Sequence, residues 1–226
     1  MSLSVLVSTS DGAKSCMGSA CGIVGVMRDP SYEVVPANEA SWEHLVAVFG
    51  VRGPASRCWC QRYKLARGES FVSCQPEDLA DRLRDQTNAS HPGSERTSGL
   101  VAYAAGEPVG WCAVQPRTAY RGLVRNAGMA AWAGRGEDRA DPGVWAVTCV
   151  LVRAGHRRRG VSGALVHAAV ERARIGGARV LEGYPLTTGS VVSEELHPGV
   201  LSTFLDAGFL EVHRPSARRA VVAIDL

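Results

Sequence analysis

The chain has 226 residues, 46% hydrophobic and 21% charged, with a formal net charge of +3. This length fills one core, or one domain with an extension. The composition excludes a disordered chain, and so small a charge argues against nucleic acid or an acidic membrane surface as a partner.

Seven irregularly spaced cysteines read as free thiols of a reducing compartment rather than a disulfide framework. No run approaches the roughly twenty apolar residues that span a bilayer. The expected location is cytoplasmic, with no membrane partner. Residues 1–29 are rich in Ser, Gly and Ala and hold no period. They read as a flexible or extended segment ahead of one domain over 30–226. The start lacks a basic region before its short apolar run, which argues against a secretory signal. Cys16 and Cys21 lack the further ligands that a zinc site needs.

Tyr32 to Val35 predicts a short strand ended by Pro36. Asn38 can cap a helix from Glu39, whose apolar stripe is Trp42, Leu45, Val46 and Phe49. Arg57-Cys58-Trp59-Cys60-Gln61-Arg62-Tyr63-Lys64 then packs two thiols, two aromatics and three cations into eight positions. Three readings stand. Trp59 and Tyr63 can form the aromatic wall of a substrate pocket. Cys58, Cys60 and Cys74 can hold a metal with His91, although C-x-C is an uncommon zinc spacing. Or the cysteines are small core hydrophobes beside a half-buried tryptophan. No metal is expected.

Gln75-Pro76-Glu77-Asp78 opens a helix that runs from Leu79 to about Thr87, with proline in its first turn and acids at the positive end of the dipole. Residues 88–98 are polar and contain Pro92 and Gly93, a loop. Gly99 to Ala105 and Pro108 to Gln115 predict a hairpin around Gly106-Glu107. Arg117 to Gly143 reads as a partly helical insertion near the site, with Arg117, Arg121 and Arg125 on a solvated face.

The chain then reaches its most informative stretch. Val144 to Val152 is nearly all apolar or β-branched, as a strand buried on both faces would be. Gly155 to Gly160 interrupts with His156, Arg157, Arg158 and Arg159, and beyond it Val161, Ala164, Leu165, Ala168 and Ala169 recur at helix spacing. Strand, basic turn and helix in that order make an anion site, because the first amides of a helix lack internal partners and carry the positive end of its dipole. A P-loop reading fails at its charged position, where Val161 stands in place of lysine, and too little chain remains for a nucleotide-hydrolase core. A nucleic-acid reading of the basic run lacks an aromatic stacking platform.

Arg157-Arg158-Arg159-Gly160-Val161-Ser162-Gly163 resembles motif A of the GCN5-related N-acetyltransferase (GNAT) family: Gln or Arg, two residues, Gly, one residue, then Gly or Ala. Ser162 departs from that last preference. Val150-Leu151-Val152 is similar to the family's fourth strand, the "VGW" of the hairpin to its third, and Gly208-Phe209 to its late turn; together the resemblance spans about 98–214.

Beyond the helix, Ala178 to Tyr184 is strand-like, with Val180, Glu182 and Tyr184 on one face. Thr187 to Gly199 reads as an acid-bearing loop, Val200 to Asp206 as a short helix, and Phe209 to His213 and Ala217 to Ile224 as two closing strands.

The resemblance implies an α/β (α+β) fold: a mixed, mostly antiparallel sheet flanked by helices, with its fourth and fifth strands splayed. Acetyl-CoA would be the cosubstrate, its pantetheine paired with the backbone of Val150, Leu151 and Val152, and its pyrophosphate on Arg157, Arg158, Arg159, Gly160, Val161, Ser162 and Gly163. The acceptor would be a small-molecule or peptide amine attacking the thioester directly, with Glu182 as first candidate for the base. The family often places a tyrosine, as acid, four residues before its late glycine; Phe204 stands there instead, leaving Tyr184, Ser202 or Thr203, or an unassisted thiolate whose pKa is near 8.5. A catalytically silent acyl-CoA-binding regulatory module is the alternative. A homodimer is compatible with the sequence.

Overall fold

The computed structural model describes residues 32–125, 130–132, 134–187 and 197–226. The segment 1–29, with Cys16 and Cys21, and most of the acid-bearing loop lie outside the described residues.

The apolar run forms β4 (Val144–Val152) at the centre of a seven-stranded sheet. To one side lie β3 (Glu107–Pro116), β2 (Leu100–Ala104) and β1 (Glu33–Pro36); to the other lie β5 (Val180–Gly183), β7 (Arg219–Asp225) and then β6 (Leu210–Ser216). Among the described strands, only β4 and β5 pair in parallel. This is the mixed, mostly antiparallel sheet that the sequence led us to expect.

Alternation along β3 gives the sheet two buried faces. Cys112 and Val114 point to a core built with Leu165, Ala169, Phe204 and Phe209, from α5 (Val161–Ile175), α6 (Leu201–Asp206) and the turn after α6. Trp111 and Ala113 point the other way, into a core with Leu45, Phe49, Leu79 and Leu83. That face is covered by α1 (Trp42–Phe49), α2 (Ala55–Cys58) and α3 (Pro76–Thr87). A smaller third cluster joins Tyr120, Leu123 and Trp132 to Tyr184 and Val221. Tyr120 to Trp132 belong to the insertion between β3 and β4, which contains α4 (Arg121–Arg125).

Two local expectations are corrected. The first helix starts at Trp42, because Ser41 Oγ accepts from the His44 amide at 3.2 Å and is the cap. Asn38 is instead buried, and its amide donates to Pro92 O (3.3 Å) and Ser94 O (2.9 Å), fastening the loop after α3. The hairpin turns on Ala105 (φ +49°) and Gly106 (φ +80°), one residue earlier than expected, since a two-residue turn of this hand needs positive φ at both positions.

Candidate active site

Gly160, with φ +92°, is the N-cap of α5, and no side chain caps that end. Arg158 also has a left-handed backbone, φ +58°. These two positions let the chain double back between β4 and α5. Tyr32 fixes the turn by donating its hydroxyl to Arg159 O. Arg153 turns toward the β2–β3 hairpin, bonding Glu107 (2.7 Å) and Pro108 O (2.8 Å), with His156 3.6 Å from Glu107. Arg157 donates to Val152 O at 3.2 Å, and residues 157–160 are exposed. A Cβ at Gly163 would meet nothing within 4 Å, so the first turn of α5 is open to a guest. The helix is seated by Gly110, where a Cβ would come within 2.9 Å of Val161 and 3.0 Å of Leu165. An uncapped helix start, flanked by guanidiniums and open above its first turn, fits a pyrophosphate.

β4 and β5 pair only from Val144↔Val180 to Val147↔Gly183. Val114 pairs with Val147 and Ala113 with Cys149, so Thr148 is an extra residue on β4. Such a bulge bends the strand, and the second half of β4 has no β5 partner. The chain itself lies in that gap. Val150 N donates to His197 O (2.6 Å), Leu186 N to Gly199 O (3.0 Å) and Leu201 N to Leu186 O (2.8 Å). The Val150 amide expected to meet pantetheine is therefore engaged by the stretch His197–Val200. Phe204, fully buried, packs edge-on to Phe209 at 5.2 Å and lies against Gly183 and Gly199. It fills space and carries no acid.

Glu182 and Tyr184 are brought together: the Tyr184 hydroxyl donates to Glu182 Oε2 at 2.8 Å. Glu182 is 3% exposed, and its carboxylate is also clasped by Arg117 (3.1 Å) and by Arg135. Both guanidiniums bond Glu137 as well (2.7 and 2.6 Å) and lie over the Trp132 ring, 5.1 and 5.2 Å from its centre. Arg117, expected on a solvated face, is 1% exposed; burial opposes its charge, but Glu182 and Glu137 hold its pKa up. Burial, and then the Glu182 charge, push the Tyr184 phenol well above its usual range. Both oxygens of Glu182 thus accept bonds from within the chain, Oε1 from Arg135 and Oε2 from Arg117 and Tyr184.

Tyr184 reaches a cavity of about 210 Å³, which it lines with Tyr63, Arg219 and Val221. Tyr63 also lines a wider groove of about 820 Å³ on the outer side. Tyr63 thus borders both cavities. Trp59 does not: it is 8% exposed and stacks on Phe49 (5.0 Å) and Trp42 (5.6 Å) inside the second core. Of its cysteine neighbours, Cys60 is buried in the same core and Cys58 is half-buried. The Trp111 indole donates to Cys60 Sγ at 2.7 Å, and burial raises the Cys58 thiol to about 11 and Cys60 well above its usual value. Among the described residues, no group of three or more His, Cys, Asp or Glu is placed to hold a metal, and no helix is long and apolar enough to cross a membrane. Arg135, Glu137, Arg219 and His197 went unremarked in the sequence; Arg135, Glu137 and His197 lie in irregular segments where no period announces their neighbours, and Arg219 stands at the first position of β7.

Residues 59–185 match the acetyltransferase (GNAT) family, and the chain belongs to it. It is accordingly an acyltransferase dependent on acetyl-CoA. No curated protein matches the sequence. Among solved structures, the chain is similar to a GCN5-related N-acetyltransferase from Kribbella flavida (17% identity, TM-score 0.48, covering 87% of this chain and 98% of that one). It is similar also to the PaiA N-acetyltransferase from Thermoplasma acidophilum in complex with coenzyme A (13%, 0.45, 87% and 98%). A third is the ribosomal-protein-alanine N-acetyltransferase from Brucella melitensis (16%, 0.46, 86% and 99%).

Proposed function

We propose that the protein transfers an acetyl group from acetyl-CoA to a primary amine of a small molecule or peptide, by direct attack on the thioester. The observation that carries this reading is the exposed basic turn, closed by left-handed Gly160, at the start of α5 and the end of the splayed half of β4. Arg157, Arg158 and Arg159 supply charge to the pyrophosphate, and the amides of Gly160, Val161, Ser162 and Gly163 supply donors. Pantetheine adds along Val150, Leu151 and Val152 once His197–Val200 moves aside, as a peptide adds to a sheet edge. The amine enters through the cavity of Tyr63 and Tyr184. Tyr184 is the hydroxyl nearest the reaction, and Glu182 acts through it as a positioning residue. Water carries away the amine's proton, and the thiolate leaves unassisted, its pKa near 8.5.

Gly160→Glu tests the reading. The new carboxylate falls where the pyrophosphate would lie, on a backbone that disfavours any side chain. CoA binding measured by calorimetry should be lost, and unchanged affinity would falsify the assignment. A second reading, a silent acyl-CoA-binding module, draws support from Phe204 and from the engaged Val150 amide. It expects CoA to bind without thiol release on any amine.

A further inference from the structure

We infer that the acceptor is an amine bearing a carboxylate or another anionic group, held by the arginine-lined groove that opens beside Tyr63. The inference rests on the acyl-transfer reading above and names the substrate class for that same site.

The groove is built from two segments on the face of the sheet opposite α5, residues 62–69 and 122–125. Gly122 N donates to Tyr63 O at 2.7 Å and joins them. Arg62, Arg67 and Arg125 contribute three guanidiniums to its walls, and all three residues are exposed. Two of them are held in place without losing charge. Arg125 donates to Leu65 O and Arg121 O, both at 3.2 Å, and Arg62 lies over the Phe71 ring at 5.8 Å. None of the three has a carboxylate partner among the described residues.

Glu69 is the groove's acid, and its charge is already answered. It takes two bonds from Arg82 (2.8 and 2.9 Å) and one from the Ala66 amide (2.7 Å). The groove is therefore positive, with no free carboxylate to attract an ammonium.

Tyr63 links this groove to the inner cavity, where Arg219 stands beside Tyr184. Arg219 lines the inner cavity with Tyr63 and Arg62 lines the outer groove with it, so a cation borders Tyr63 on each side. An acceptor with its amine at Tyr184 can place an anionic group among these arginines. A polyamine or lysine-rich tail would instead bring like charge to a positive, partly enclosed wall, which discriminates strongly against it.

Pairs of amines matched except for charge provide the test: β-alanine against β-alaninamide, and glycyl-glycine against glycyl-glycinamide, with spermidine as the cationic extreme. CoA release from acetyl-CoA should show kcat/KM about tenfold or more higher for the anionic member of each pair, the scale expected of one charge-assisted contact. Arg67→Glu and Arg125→Glu, both at exposed positions, should each erase or invert that preference while leaving the Kd for CoA unchanged. Equal rates within the wild-type pairs or a preference for spermidine would overturn the inference, as would a preference that survives both reversals. Failure of the wild type to bind CoA, or CoA binding with no transfer to any amine, is a different result: it removes the acyl-transfer reading itself, and the inference with it.

Discussion

Glu182 is met by two guanidiniums and a phenol, and each of those partners depends on it in turn. Arg117 is 1% exposed, and removing one member of a buried ionic cluster leaves the others desolvated without compensation. Glu182→Gln should therefore lower the free energy of unfolding by roughly 3 kcal/mol, read from urea denaturation. Tyr184→Phe removes only one hydrogen bond and should cost about 1 kcal/mol. A Glu182→Gln protein of unchanged stability but much lower kcat would instead point to this residue as the base. Lys64 makes a second residue-scale case. Its ammonium bonds Gln86 (2.9 Å) and Gln115 (2.7 Å), and burial lowers its pKa to about 8 from 10.5. Between those values the unfolded chain binds the proton and the folded protein does not, so stability rises with pH across that window. Lys64→Met should lack this rise when melting is followed from pH 8 to 10.5; parallel curves for the two proteins would refute it.

At the scale of elements, the stretch His197–Val200 competes with pantetheine for the backbone of β4. Gly199 has φ +82°, and a Cβ there would lie 2.9 Å from Phe204 Cε2. Gly199→Ala should loosen the stretch from the gap and enlarge the population open to CoA, and apparent affinity rises with that population. Tighter CoA binding is expected in titrations; unchanged or weaker binding would show that the stretch does not stand in the way. None of this was legible in the sequence, because the partner of His197 is a strand far back in the chain and four irregular residues carry no period. β4 and α5 were legible, since an unbroken apolar run and a helical stripe each report their own burial. So was the basic turn between them, which needs only local backbone. Trp59 marks the boundary. An aromatic beside cations reads alike as a pocket wall or as core, and only the stack on Phe49 and Trp42 decides it. Arg117 failed for a related reason: what buries it is a carboxylate on β5, remote in sequence.

Over the whole molecule, a net charge of only +3 hides two separate basic regions. One is the turn at 157–159 at the start of α5. The other is the groove of Arg62, Arg67 and Arg125, on the face covered by α1 and α3. The sheet between them is a packed, low-dielectric layer, and at physiological salt surface charges are screened beyond about 8 Å. Each region should therefore attract its own anionic substrate with little influence on the other. Charge near a binding site acts mainly on the rate of encounter, and that rate falls as salt rises. Arg158→Glu should slow CoA association in stopped-flow measurements and flatten its dependence on ionic strength, while Arg67→Glu should leave both unchanged. In the double variant CoA association should match that of Arg158→Glu alone, as expected for sites without shared partners. A CoA association rate that responds equally to both reversals would mean that the protein works as one diffuse positive field, and the assignment of one substrate to each face would fall with it.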